Sequence, residues 1–198
     1  MFFLYQILII ILLILSPLII GIRILKKKED KIRFKEKFCF PSKKRVKGNL
    51  IWFHGSSVGE ILSILPLVYE LEKNNSINQI LITSSTLSSA EIFKKFKFTK
   101  TVHQFFPIDS IFFSHKFLKY WKPTITIFVE SEIWPSIFKT LNRKNIPLLL
   151  LNARITKKTF IKWNYIKSFS KNIFRNISMA YPQNNETFNY LKKLNVSK

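Results

Sequence analysis

At 198 residues, with 47% hydrophobic and 15% aromatic content, the chain has the apolar material for one medium domain with a real core and is excluded from the disordered class. A single cysteine, Cys39, excludes an internal disulfide framework and a cysteine-rich zinc site, and the three histidines lack ligand spacing, so no metal is expected. A net charge of +22 would ordinarily point to nucleic acid or an anionic membrane, but beyond residue 50 the lysines spread over predicted helix faces, and no nucleic-acid partner is expected.

In chain order, residues 2–22 are an almost unbroken apolar run, interrupted by Gln6, Ser16, Pro17 and Gly21. About 20 such residues suffice to cross a bilayer core. No basic region precedes the run and no small-residue cleavage site follows it, which argues against a cleaved signal and for an anchor over 1–22. Arg23, Lys26, Lys27 and Lys28 come next, and the positive-inside rule places the downstream domain on the cytoplasmic face. Pro17 leaves a kinked, monotopic insertion open beside a spanning one. Residues 23–48 form a basic connector, with Glu29, Asp30 and Glu36 outnumbered by lysine and arginine. It is expected to lie on anionic headgroups, each cation contributing about 1 kcal/mol.

From 49 to 198 apolar runs alternate with longer amphipathic stretches, the pattern of an α/β domain with a doubly wound, Rossmann-like parallel sheet. Strands are predicted at 49–54, 79–83, 102–106, 124–129, 147–151 and 178–181. Helices are predicted at 60–73, 88–96, 110–121, 135–145, within 156–176, and at 185–194. The first strand runs into Gly55-Ser56-Ser57-Val58-Gly59-Glu60, which delivers a carboxylate to the first turn of a helix. Glu60 has two readings. With Ser57 it makes a Ser-x-x-Glu capping box, and at the carboxyl end of a parallel strand it stands where a general base is placed.

Other strand ends bring Thr83-Ser84-Ser85-Thr86, Glu130-Ser131-Glu132-Ile133-Trp134-Pro135 and Asn152-Ala153-Arg154 to the same edge, which makes a polar cleft. Glu130 and Glu132, at a strand end ahead of a helix, are also placed to cap it. With only four glycines, the chain holds neither a dinucleotide turn nor a Walker-type loop, and no nucleophile elbow is present. Carboxylate base catalysis on a hydroxyl acceptor remains.

These segments resemble the 3-deoxy-D-manno-octulosonic acid (Kdo) transferases that act on lipid A. The family pattern His-x-x-Ser-Val-Gly-Glu with a Leu-Pro-Leu helix is similar to His54 through Glu60 and Leu65-Pro66-Leu67. Glu-x-Glu-hydrophobic-Trp-Pro is similar to Glu130 through Pro135, and Ile-Pro…Asn-Ala-Arg to Ile146-Pro147 and Asn152-Ala153-Arg154. Pro107-Ile108-Asp109 and Gln183 with its acidic helix are lesser matches. The resemblance implies one half of a glycosyltransferase-B fold, an N-terminal acceptor domain over 49–198 whose C-terminal donor domain is absent, and attachment to the inner membrane. It implies that Glu60 is the general base, that Glu130 is a second functional carboxylate, and that Ser56, Ser57, Glu132 and Arg154 serve substrate binding. The implied reaction is inverting Kdo transfer from CMP-Kdo to the lipid A precursor, with no cofactor beyond that donor. The chain alone is then expected to be inactive. The alternatives are a noncatalytic membrane-anchored glycolipid-binding fragment and, in a third class, a basic membrane-tethered nucleic-acid binder.

Overall fold

The computed structural model describes residues 1–196. Its elements, in chain order, are helix α1 (Phe2–Leu25), a 3₁₀ turn (Arg33–Phe38), β1 (Leu50–His54), α2 (Val58–Lys73), β2 (Gln79–Ser84), α3 (Leu87–Phe93), β3 (Thr101–Phe105), α4 (Ile111–Trp121), β4 (Ile125–Val129), α5 (Pro135–Arg143), β5 (Leu148–Ala153), α6 (Lys157–Tyr165), α7 (Lys167–Phe174), β6 (Met179–Pro182) and α8 (Asn185–Lys193). All six strands pair in parallel, in the order β3-β2-β1-β4-β5-β6. This is the expected doubly wound α/β sheet.

Alternation along the strands sends side chains to two separate cores. Trp52, Leu81, Phe128 and Leu150 pack with α4, α5, α7 and α8, while Phe53, Ile80, Ile82 and Val129 pack with Ile61, Ile64 and Val68 of α2. A strand buried on both faces reads as continuous hydrophobe in its middle, as Ile80-Leu81-Ile82 of β2 does, and all six residues of β2 are buried. The chain crosses from one face to the other between β3 and β4, so β1 and β4 are neighbours whose connections leave in opposite directions. The carboxyl ends of such a pair open a crevice where α/β sheets hold ligands.

Helix starts follow local chemistry. Ser57, Thr86, Ser110, Thr156 and Asn184 each accept an N–H from three residues on with a side-chain oxygen. The helix expected over 88–96 ends at Phe93, and the region 156–176 holds two helices that meet at Ile166.

The connector is folded onto the domain rather than extended. The 3₁₀ turn lies on the edge strand β3, where the Glu36 carboxylate accepts the Phe105 N–H at 2.7 Å and a bidentate pair from Arg33 at 2.8 and 3.0 Å. Arg33 Nη2 also donates to His103 Nδ1 at 2.9 Å and to the His103 carbonyl at 3.0 Å. Glu29 and Glu36 are both buried, so these two acidic residues serve the fold rather than dilute a basic surface.

Among the described residues α1 is the one helix long and apolar enough to cross a membrane, with a mean hydropathy of 2.9 over its apolar window. Its start is bonded to the domain and its end to the connector. Tyr5 and Gln6 bond to Asp109 and Ser136, and Arg23 pairs with Glu29, which also binds Lys37 of the 3₁₀ turn.

Candidate functional site

Glu60 and Glu132 meet at the crevice between the ends of β1 and β4, joined by Ser56. The Ser56 main-chain N–H donates to Glu60 Oε2 at 2.9 Å, and its hydroxyl donates to Glu132 Oε2 at 2.6 Å. Ser56 Oγ also lies 3.1 Å from Ser85 Oγ, which brings the hydroxyl run after β2 into the same cluster.

The capping reading of Glu60 holds, and its carboxylate also stands at the carboxyl end of β1 as expected. Ser57 Oγ accepts the Glu60 N–H at 3.2 Å and donates to Glu60 Oε1 at 2.8 Å, a closed cap on α2. The carboxylate stays half-buried at the cleft wall. Burial, reinforced by the nearby Glu132 and Glu130 carboxylates, raises its proton affinity against the hydrogen bonds of Ser57 and Ser56. A carboxylate so poised is a stronger base than a free one. Gly55 permits the close turn, because a Cβ there would stand 3.0 Å from the Glu60 Cβ.

Glu132 has the opposite character. Its Oε2 receives Ser56 Oγ, Trp134 Nε1 at 2.8 Å and His54 Nε2 at 3.2 Å. Burial works to raise its proton affinity, but the hydrogen bond and charge of His54, with the Ser56 and Trp134 bonds, hold it below the ordinary carboxylate range. One cleft therefore holds a protonatable carboxylate beside one kept ionised, a division of labour suited to acid-base chemistry.

His54 is the site residue that sequence reasoning did not single out as functional. It is fully buried at the end of β1 and stacked on Phe106 with ring centroids 3.9 Å apart. Its Nδ1 faces the Thr83 carbonyl at 3.1 Å and Thr83 Oγ1 at 3.0 Å, while Nε2 faces Glu132. The signal was present in its position, a histidine ending an otherwise apolar strand.

Glu130 does not take the expected capping role. Its side chain makes no hydrogen bond among the described residues, and its backbone sits at φ 55°, the left-handed region that a glutamate rarely adopts. Asn152, at the end of the neighbouring strand β5, is held at φ 54°. Strained non-glycine backbone concentrates where a structure positions functional groups. Neither Glu130 nor Glu132 caps α5. Asp109, from beyond β3, accepts the Ser136 and Ile137 N–H groups at 2.9 Å each and does so instead. Arg154 is exposed at the rim, and its guanidinium forms no ion pair among the described residues. Its carbonyl accepts Ser131 Oγ at 2.5 Å, which ties the ends of β4 and β5 together.

Comparison with known proteins gives a consistent result. A family model described as 3-deoxy-D-manno-octulosonic-acid transferase (kdotransferase) matches residues 32–198. The chain is 39% identical over 196 residues to the 3-deoxy-D-manno-octulosonic acid transferase of Rickettsia bellii, covering 98% of this chain and 46% of that protein. It is 41% identical over 151 residues to the protein of that name from Rickettsia felis, covering 75% of this chain and 32% of the relative. The Haemophilus influenzae protein of that name is 30% identical over 204 residues, covering 94% of this chain and 46% of the relative. The chain thus spans less than half the length of each.

Proposed function

Because the chain belongs to the 3-deoxy-D-manno-octulosonic-acid transferase family, a family of glycosyltransferases, we propose that it carries the acceptor side of an inverting Kdo transfer to the lipid A precursor. In this reading Glu60 takes the proton from the acceptor sugar hydroxyl as that oxygen attacks the anomeric carbon of CMP-Kdo. The new glycosidic bond forms as the bond to the CMP phosphate breaks, and CMP leaves with the electron pair. The raised proton affinity of Glu60 at the β1/β4 crevice is the observation that carries this assignment. Glu132, kept ionised by His54, Ser56 and Trp134, would stabilise positive charge developing at the sugar ring. Glu130 sets the loop between β4 and Glu132 through its left-handed backbone, and Ser57 and Arg154 offer a hydroxyl and a cation at the cleft rim.

Most of the CMP-Kdo contacts are assigned to the further length that the relatives possess. No metal is required in this scheme. Among the described residues no three His, Cys, Asp or Glu side chains cluster as ligands.

The acceptor is an anionic glycolipid, and the apolar flank of α1 supports placing the cleft at the inner membrane on its cytoplasmic face. Phe3, Leu4, Ile10, Ile14 and Leu18 are all exposed. Tyr5 joins the start of α1 to the domain, and Arg23 joins its end to the folded connector through Glu29, which supports a helix lying along the bilayer surface rather than across it.

The test is a chimera in which this chain replaces the matching region of the Rickettsia bellii protein. Kdo transfer to a lipid A precursor is expected, with a loss of at least about 10³-fold for Glu60→Gln, from removal of the base together with its charge. A Glu60→Gln chimera that still transfers at the unsubstituted rate would overturn the base assignment. Glycolipid binding without transfer would favour a noncatalytic binding module.

A further inference from the structure

The first turns of α1 are wired to the site loop through one buried carboxylate. Tyr5 Oη donates to Asp109 Oδ2 at 2.6 Å. Gln6 Nε2 donates to Ser136 Oγ at 2.8 Å, and the Ile111 N–H donates to Gln6 Oε1 at 3.3 Å, so Gln6 bridges the starts of α4 and α5. Asp109 is 3% exposed and is the external cap of α5, taking the Ser136 and Ile137 N–H groups. Ser136 Oγ returns a bond to the Asp109 carbonyl at 2.7 Å. The N-cap of α5, Trp134, contributes no side-chain cap of its own, so the start of this helix depends on Asp109. Trp134 is also the residue whose indole N–H holds Glu132, and its ring packs on Phe106 with centroids 5.0 Å apart.

We propose that Tyr5, Gln6 and Asp109 are positioning residues for the 130–134 loop, so that seating α1 against the domain is what fixes Glu132 in the cleft. The functional meaning of that loop rests on the transferase reading above. The device makes the site sensitive to how the membrane helix lies. A helix turned across the bilayer withdraws Tyr5 from Asp109, leaves a buried carboxylate short of a donor and loosens the α5 cap. An enzyme that meets its acceptor only at a membrane then has a complete site only when its helix is seated there.

Hydrogen exchange read by mass spectrometry, on the chain bound to phosphatidylglycerol/phosphatidylethanolamine vesicles, tests this. Tyr5→Phe removes one hydrogen bond to the buried Asp109 carboxyl group, and about tenfold faster exchange is expected at residues 130–137, with α2 and β2 unchanged and vesicle binding retained. Gln6→Ala, which leaves Asp109 and its Tyr5 bond in place, is expected to loosen the same segment and keeps the test readable if Tyr5→Phe folds poorly. Unchanged exchange at 130–137 in both variants, or an equal rise across the whole domain, would overturn the proposal. Because exchange does not depend on turnover, a chimera that fails to transfer Kdo yet shows the localised effect refutes the transferase reading and leaves the coupling standing.

Discussion

Glu60 and Glu132 stand in one cleft with opposite electrostatics, and their pH signatures must therefore oppose. The folded state raises the proton affinity of Glu60, so between its unfolded pKa, about 4.3, and its folded one the native state binds more protons and stability falls as pH rises. Glu132 is lowered when folded, so the stability it contributes is present above its unfolded pKa and is lost as pH falls through the folded one. Denaturant unfolding from pH 3 to 7 should show Glu60→Gln removing a negative slope and Glu132→Gln removing a positive one. Glu130 offers a backbone test. Its φ of 55° is costly for a residue with a Cβ, so Glu130→Gly should leave stability unchanged or raise it by up to about 1 kcal/mol, whereas Glu130→Val should lower it by about 1–2 kcal/mol. A valine variant as stable as the parent would refute the strain. At this scale the sequence showed Glu60 clearly, because its cap partners lie three and four residues away. It did not show that Glu132 is the most heavily bonded carboxylate of the loop, since His54 and Ser56 reach it from 78 and 76 residues away.

The elements divide along the same line between local and distant causes. The strands and the Ser57 cap were legible because apolar runs and capping boxes act within a few residues, whereas the cap of α5 comes from Asp109, more than twenty residues upstream, and not from Glu130 or Glu132. The 3₁₀ turn on β3 was not legible, because its reason is a tertiary one. The edge strand presents an unpaired N–H at Phe105, and Glu36 supplies the acceptor. Glu36→Ala would strip that acceptor and strand the Arg33 guanidinium, with an expected loss of about 3 kcal/mol by denaturant unfolding. His103, in the same network, is held down to about 3 by burial first and then by Arg33, Lys94 and Lys43. Its depressed folded value means that stability is lost as pH falls below the unfolded histidine value of about 6.5. His103→Gln should flatten that acid limb.

For the whole molecule, the membrane reading proposed above rests on a net charge of +22 and the exposed flank of α1, two contributions of unequal durability. Each large apolar side chain taken out of water contributes about 1.5–3 kcal/mol, whereas a cation near the surface contributes about 1 kcal/mol and is screened by salt. Vesicle flotation should retain the chain at 1 M salt. Lysine substitutions on the apolar flank, such as Ile14→Lys with Leu18→Lys, should release it, and release by salt alone would mean the basic surface dominates. An apolar helix long enough to cross a membrane was legible from the almost unbroken run over 2–22. How the helix sits against the domain was not, because Tyr5 and Gln6 find partners more than a hundred residues distant.

That separation has a consequence for how the protein is born. Tyr5 precedes Asp109 by 104 residues, and at about 5–20 residues per second a ribosome needs roughly 5–20 s to make the partner after the helix has emerged. For that interval α1 is an unpartnered greasy segment ahead of an unfinished domain. On the membrane reading proposed above, the bilayer receives the helix first and the domain then condenses onto it, its final seating delayed until the strand before Asp109 has been synthesised.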